Sequence, residues 1–260
     1  MLIAVLVAVG LALLGTGAAL LVTARSRARL AQGLARAKAD LERLQTAFSR
    51  FAPEEVVEQI AARGVAPEAQ EREVTVLFAD LKGFTALSAG REPAVVVELL
   101  NGYFRVMSEA IVAHQGHVAK FVGDGLMALF GALQHNPWQA RDAVEAALAM
   151  REALARYNAA TAARGLPPLE FGVGIHRGVA VAGVIGSREW MEYTVIGDTV
   201  NVASRVERLT RVHDTDLLVT EEVRAALDGR FRLRAMPPVA VHGKSEPIRT
   251  YAVGGAGGVS

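Results

Sequence analysis

The sequence predicts an α+β domain whose elements run in the order β-α-β-β-α-β, behind an apolar helix and a second, heptad-patterned one. Three observations carry this. An apolar run rich in β-branched and aromatic residues, Val74 to Phe78, leads to a carboxylate, Asp80, and a turn glycine, Gly83. So short a run reads as a strand buried on both faces. Two more apolar runs flank Gly123-Asp124-Gly125 between His117 and Gly131; this is a hairpin signature, with glycine supplying the positive φ of the turn. Two long stretches with helical spacing of apolar residues, after Pro93 and after Asn136, complete the pattern.

With 260 residues, 52% hydrophobic and 21% charged, the chain has room for one domain of about 180–200 residues and an appendage. A formal net charge of +1 offers no global argument for nucleic acid. The absence of cysteine excludes disulfides, thiol nucleophiles and Cys-ligated zinc.

Residues 1–22 carry no charge. As a helix they would span roughly 33 Å, enough for a bilayer core. A cleaved signal peptide would want basic residues before a shorter apolar stretch. Here the basic residues follow, at Arg25, Arg27, Arg29, Arg36 and Lys38, which places the C-terminal side in the cytoplasm and against anionic headgroups. The expectation is a single-pass anchor over 1–23 in the cell membrane, with the rest of the chain cytoplasmic. Over 24–52, Leu30, Leu34, Ala37, Leu41, Leu44, Phe48 and Phe51 repeat at spacings of 4, 3, 4, 3, 4, 3, the seam of a coiled coil. The alternative is an amphipathic helix packed on its own domain. The dimer is favoured because the helix continues from the membrane span and has no polypeptide to pack on before residue 72. Pro53 stops it, Pro53-Glu54-Glu55 starts a short helix to Ala62, and 53–70 reads as a transducer segment and linker.

The domain expected over 71–253 opens with the Val74–Phe78 strand. A helix follows from about Pro93 to His114, with Val96, Leu99, Leu100, Tyr103, Phe104, Met107 and Ile111 on its apolar side. After the hairpin comes a helix from Asn136 or Pro137, as cap and first position, to about Ala163. Strands at Leu169–His176 and Val179–Ile185, a short strand before a helix from about Asp198, a strand at Leu217–Val219, a short helix from Glu221, and strands near 230–235 and 247–253 complete it. This is the split-βαβ, ferredoxin-like order with C-terminal additions. Residues 254–260 read as a disordered tail.

Asp80 at a strand end and Asp124 at a hairpin tip converge if the hairpin lies beside the first strand. Each alone has an ordinary explanation, as a helix cap or a turn residue. Together, without cysteine and with few histidines, they suit hard oxygen-loving cations such as Mg2+ or Mn2+. Asn201 and Arg205 lie four apart on one helix and share a face. An arginine fork suits charge on a transferring phosphoryl group, and Asn suits orienting a nucleotide; a merely solvated face is the alternative.

Three motifs, VLFADLKGFT, KFVGDGLMALFG and YTVIGDTVNVASR, resemble in order and spacing those of the class III nucleotidyl cyclases, over about Glu71 to Val253. The lead-in RFAPEEVVEQI resembles the transducer segment before bacterial members. The resemblance implies a homodimer with sites at the subunit interface, each using metal carboxylates from one chain and base- and transition-state-binding residues from the other. It implies that Asp80, Asp124 and the Leu81 carbonyl hold two metal ions, Mg2+ or Mn2+, and that the backbone of Gly83, Phe84 and Thr85 cradles the triphosphate. Lys120 and Thr194 fall at the purine-reading positions, Asn201 at that of the ribose-positioning asparagine, and Arg205 at that of the transition-state arginine. The implied reaction is cyclisation of a nucleoside triphosphate with loss of pyrophosphate. Lys120, a donor without an acceptor, matches the ring acceptor N1 of adenine, whereas guanine presents N1–H there; ATP is the expected substrate. Thr194 stands where many adenylate cyclases have Asp. Relatives with this Lys/Thr pair include bacterial enzymes that respond to bicarbonate, which the resemblance makes an expected input; with no recognisable sensor domain, regulation is otherwise expected through the membrane helix, the coiled coil or an unseen partner. In one departure His242 replaces the first lysine of a Lys-Gly-Lys, leaving Lys244 or His242 to reach the triphosphate. The rivals are a guanylate cyclase, opposed by Lys120, and a silent membrane dimerisation module, opposed by the aspartates and Asn201/Arg205. A diguanylate cyclase shares the palm, but its Gly-Gly-Asp/Glu-Glu-Phe signature is absent.

Overall fold

The computed structural model describes residues 27, 29–44, 68–187, 191–239 and 247–256. The membrane span expected over 1–23, the transducer segment and linker up to residue 67, Phe48, Phe51, His242 and Lys244 lie outside the described residues. Among the described residues no helix is long and apolar enough to cross a membrane. Residues 29–44 form a helix, α1, in a unit of its own. Leu30, Leu34, Leu41 and Leu44 of the heptad stripe are exposed on it.

The second unit is organised on β1 (Gln70–Leu81). It continues through α2 (Phe84–Ser88), α3 (Pro93–Ala113), β2 (His117–Val122), β3 (Gly125–Phe130) and α4 (Gln139–Ala162). There follow β4 (Phe171–Gly186), β5 (Met191–Ile196), α5 (Asp198–Val212), β6 (Leu217–Thr220), α6 (Glu221–Ala225), β7 (Phe231–Ala235) and β8 (Thr250–Ala256). The sheet runs β2-β3-β1-β4-β6-β8-β7, with β5 paired to β4. The segment β2-β3-β1-β4 is the split-βαβ order expected from the sequence. Val74–Leu77 at the centre of β1 are buried, since strands pair on both edges and helices cover both faces.

Strand alternation divides β1 between two cores. Leu77, Ala79 and Leu81 join Tyr103, Met107 and Ile111 of α3 and Ala143, Val144, Ala147 and Met150 of α4. Val74 and Val76 face the other way, with Met127, Leu129, Ala180 and Ala203 of α5. By the same alternation Asp80 points to the α5 face. Gly174 of β4 lets α5 lie flush on the sheet. A Cβ there would meet Glu207 N at 2.1 Å and Glu207 Cα at 2.6 Å, both backbone of the helix.

Four details differ from expectation. The strands expected on either side of Arg177 are one strand of 16 residues. Continuous pairing with β1, from Gln70↔Ala182 to Leu81↔Phe171, carries it through Arg177-Gly178. Helix α4 starts at Gln139, not at Asn136 or Pro137: Asn136 Oδ1 accepts from the Trp138 N–H (2.9 Å), and the Gln139 N–H donates to the Asn136 carbonyl (3.2 Å), which closes a turn before the helix. The expected tail begins as strand, since β8 continues to Ala256. Strand β1 begins at Gln70, inside the expected linker.

Candidate active site

Asp80 is the penultimate residue of β1. Gly123 (φ +63°) and Asp124 form the two-residue turn between Val122 and Gly125, which pair with each other. Because β3 lies beside β1, with Ala79 opposite Leu126, the turn arrives next to Asp80. A Cβ on Gly125 would stand 2.8 Å from Asp80 Oδ1. The electrostatics agree: burial, reinforced by the charge of Asp80, raises the Asp124 carboxyl above its ordinary range. The two aspartates therefore converge as expected.

A cation already faces them. Arg211 Nη2–H donates to Asp80 Oδ2 (2.6 Å) and to the Leu81 carbonyl (3.3 Å), while Nη1–H donates to Glu207 Oε1 (2.5 Å). The Nη2 group thus stands in for a positive ion on two of the oxygens expected as metal ligands. Two carboxylates and a carbonyl form an all-oxygen donor set, suited to Mg2+ or Mn2+. Glu207 is 5% exposed, and burial raises its carboxyl, opposed by Arg211. Tyr103 of α3 is fully buried, and its hydroxyl has no hydrogen-bond partner among the described residues. Burial, then the charges of Asp80, Asp124 and Glu207, raise that hydroxyl well above its usual range.

Gly83 (φ +67°) is the left-handed residue that turns β1 into α2, with open space around its missing Cβ; backbone conformation is what favours glycine there. Phe84 is buried and pins the turn, while Thr85 is exposed. The first N–H groups of a helix lack intrahelical partners and favour anions.

Lys120 and Thr194, expected to read the base, stand on β2 and β5, and Glu192 links Lys120 to the strand of Thr194. Lys120 Nζ on β2 donates to Glu192 Oε1 on β5, and Thr194 lies two residues further along β5, on the same face. Thr194 is buried, and its hydroxyl has no partner among the described residues. Asn201 is exposed on α5, and Arg205 is half-buried, its Nη1 without a partner among the described residues. Asn201 lies ten positions before Arg211 on one helix, about 15 Å along its axis. Within a single chain the Asp80 group therefore meets the C-terminal turns of α5, while Asn201 lies in its first turns and Arg205 at its middle.

Four participants were not read from the sequence: Arg211, Glu207, Glu192 and Tyr103. Glu207 had a signal, a carboxylate interrupting the buried stripe of Ala203, Val206 and Thr210, with Arg211 four residues on. Glu192 and Tyr103 had none, being an ordinary strand residue and an ordinary core aromatic.

The fold and this arrangement define an α+β domain with carboxylates gathered at a strand end and a hairpin tip. The chain belongs to the adenylate and guanylate cyclase catalytic-domain family, whose model matches residues 66–255. An adenylate cyclase of Anabaena cylindrica is 37% identical over 224 residues, covering 82% of this chain and 44% of the relative. Adenylate cyclase 1 of Rhizobium meliloti is 36% identical over 210 residues, covering 80% and 32%. The chain thus spans less than half the length of these curated relatives. Among solved structures, the guanylyl cyclase Cya2 matches with a TM-score of 0.69 at 35% identity, covering 74% of this chain and 96% of that one. The adenylyl cyclase CyaB from P. aeruginosa matches with 0.69 at 33%, covering 73% and 97%.

Proposed function

We propose that the chain is a membrane-anchored adenylate cyclase that converts ATP to 3′,5′-cyclic AMP and pyrophosphate at sites shared by two copies. The observation that carries this reading is one cation position on Asp80 and the Leu81 carbonyl, with the turn that holds Asp124 arriving beside Asp80. Two divalent ions, Mg2+ or Mn2+, would supply there a lowered pKa for the ribose 3′-hydroxyl and stabilisation of charge on the phosphates. Asp80 and Asp124 would hold those ions and through them orient that end of the triphosphate, and the Gly83–Thr85 turn directs backbone N–H groups at its oxygens. The ribose 3′-hydroxyl gives its proton to water, its oxygen bonds to the α-phosphorus, the bond from that phosphorus to the bridging oxygen breaks, and pyrophosphate leaves. Asn201 positions the ribose. The Arg205 guanidinium, with a donor left unpartnered among the described residues, stabilises charge developing on the phosphoryl oxygens. Lys244, or His242 when protonated, reaches the triphosphate.

The separation of Asn201 from the Asp80 group along α5 supports assembly from two chains. The exposed leucines of α1 supply a seam for pairing. Anchoring by residues 1–23 would hold the pair at the cell membrane with the catalytic domain cytoplasmic, and bicarbonate or a regulatory partner would act on that assembly.

Lys120 favours ATP because its ammonium can donate to adenine N1 while one of its hydrogens stays on Glu192. Thr194 would accept from the adenine amino group. One observation favours the second reading, a guanylate cyclase: the Glu192 carboxylate lies where guanine N1–H and its amino group would want an acceptor. Product analysis with ATP and with GTP in Mn2+ separates the two, and no cyclic product from either leaves a silent module. The shared site is tested by mixing Asp80→Ala with Arg205→Ala subunits. Each variant alone should be inactive and the mixture should regain activity. A silent mixture in which heterodimers are shown to form would refute the interfacial site.

A further inference from the structure

Arg211 makes contacts that the proposed reaction does not use. Its Nη2–H groups take Asp80 Oδ2 at 2.6 Å and the Leu81 carbonyl at 3.3 Å, the two oxygens that would otherwise face an ion. Its other arm is anchored on Glu207 Oε1 at 2.5 Å, a carboxylate 5% exposed. Glu207 is fixed by the helix seat: its backbone rests on Gly174, and its Oε1 lies 3.0 Å from where a Cβ on Gly172 would stand. The Arg211 side chain itself is 38% exposed and that of Asp80 34%, so the guanidinium has a solvent path by which to leave.

From this geometry we infer that Arg211 is a resident counter-cation of the Asp80 site, which a divalent ion must displace and which thereby sets the affinity of the site for metal. The inference rests on the assignment of Asp80 and Leu81 as metal ligands. A guanidinium and a divalent ion cannot both lie in direct contact with Asp80 Oδ2 and the Leu81 carbonyl without severe like-charge repulsion at close range. In the ion-free protein Arg211 keeps Asp80 neutralised and aimed. On metal binding it swings towards solvent on its Glu207 anchor. Arg211 is a positioning residue in this account, acting on the reaction only through Asp80.

Mn2+ binding to the full chain, measured by electron paramagnetic resonance of free Mn2+ without turnover, tests this. Arg211→Gln should bind Mn2+ more tightly, by roughly fivefold, the upper range for releasing a half-exposed pair. A merely structural role would leave affinity unchanged or weaken it, as Asp80 lost its support. Either result overturns the inference. Arg211→Lys keeps the charge but loses the fork that spans Asp80 and Glu207, and should fall between the two. If it binds Mn2+ no more tightly than the native chain, the inference fails on that variant alone, whether or not Arg211→Gln folds. Asp80→Asn separates the layers of the argument. If it binds Mn2+ as well as the native chain, the metal assignment itself is wrong and the inference falls with it. If it loses Mn2+ while the Arg211 variants do not tighten, only the role of Arg211 is refuted.

Discussion

Replacing Gly174 with alanine tests how the sheet positions the candidate site. The added methyl would sit 2.1 Å from Glu207 N, 2.6 Å from Glu207 Cα and 2.7 Å from Val206 C. All three are backbone, so no side-chain rotation relieves the clash. Ordinary contact begins near 3.4 Å, so α5 must lift by about 1.3 Å or β4 must bow by as much. Overpacking of this kind costs about 1–3 kcal/mol. For a domain of this size each kcal/mol lowers the melting temperature by about 2–4 °C, so a fall of about 2–12 °C is expected. The functional loss should be larger than the stability loss suggests, because α5 carries Asn201, Arg205, Glu207 and Arg211 together. A displacement of about 1 Å at a reacting centre costs on the order of 100-fold in rate. The assay pairs thermal unfolding with cyclic nucleotide formation, using Gly254→Ala as control. At Gly254 the nearest atoms to an added Cβ are 3.4 and 3.5 Å away, and a change within about 0.5 kcal/mol is expected. A Gly174→Ala protein that melts and turns over like the control would show that α5 is not seated on this strand.

Other consequences are equally direct. Asp80→Ala and Asp124→Ala should each abolish turnover in Mn2+ while leaving the fold intact by circular dichroism; near-normal rates in either would remove that residue from the metal site. Lys120→Glu should slow ATP use by roughly ten- to hundredfold, because it places a carboxylate against an acceptor nitrogen and beside Glu192; an unchanged rate would mean that Lys120 does not read the base. Glu222 lies 3.4 Å from the His176 ring, whose Nδ1 pairs with the Thr220 hydroxyl (2.8 Å), and its carboxyl is lowered from 4.5 to about 2, with the His176 ring the leading cause. A lowered acid stabilises the fold above its unfolded pKa and loses that contribution as pH falls. The melting difference between native protein and Glu222→Gln should thus shrink as pH falls from about 4.5 towards 2; a difference independent of pH across that window would contradict it. Polar replacement of Leu34, Leu41 and Leu44, exposed on α1, should make specific activity rise with protein concentration, as pairing loses its tether; concentration-independent activity down to nanomolar protein would make the helix an anchor or conduit instead.

The sequence by itself determined the elements and the ends at which chemistry sits. Buried strands, amphipathic helices and glycine turns are local patterns with fixed periods, so Asp80 at the end of β1 and Asp124 at the β2–β3 turn are found where periodicity places them. Asn201 and Arg205 share their helix for the same reason. Where local pattern misled, tertiary pairing had overridden it: Arg177-Gly178 reads as a break, yet β1 templates one continuous strand through it. What only the tertiary structure decided is which distant groups meet. Arg211 reaches Asp80 across 131 residues, and Glu192 reaches Lys120 across 72. Neither contact leaves a trace in its own segment, because an exposed arginine or glutamate looks the same whether it faces water or a partner. Those meetings depend on sheet register and on how deeply α5 sinks onto Gly172 and Gly174. Depth of packing is a property of two surfaces at once, and neither segment states it alone.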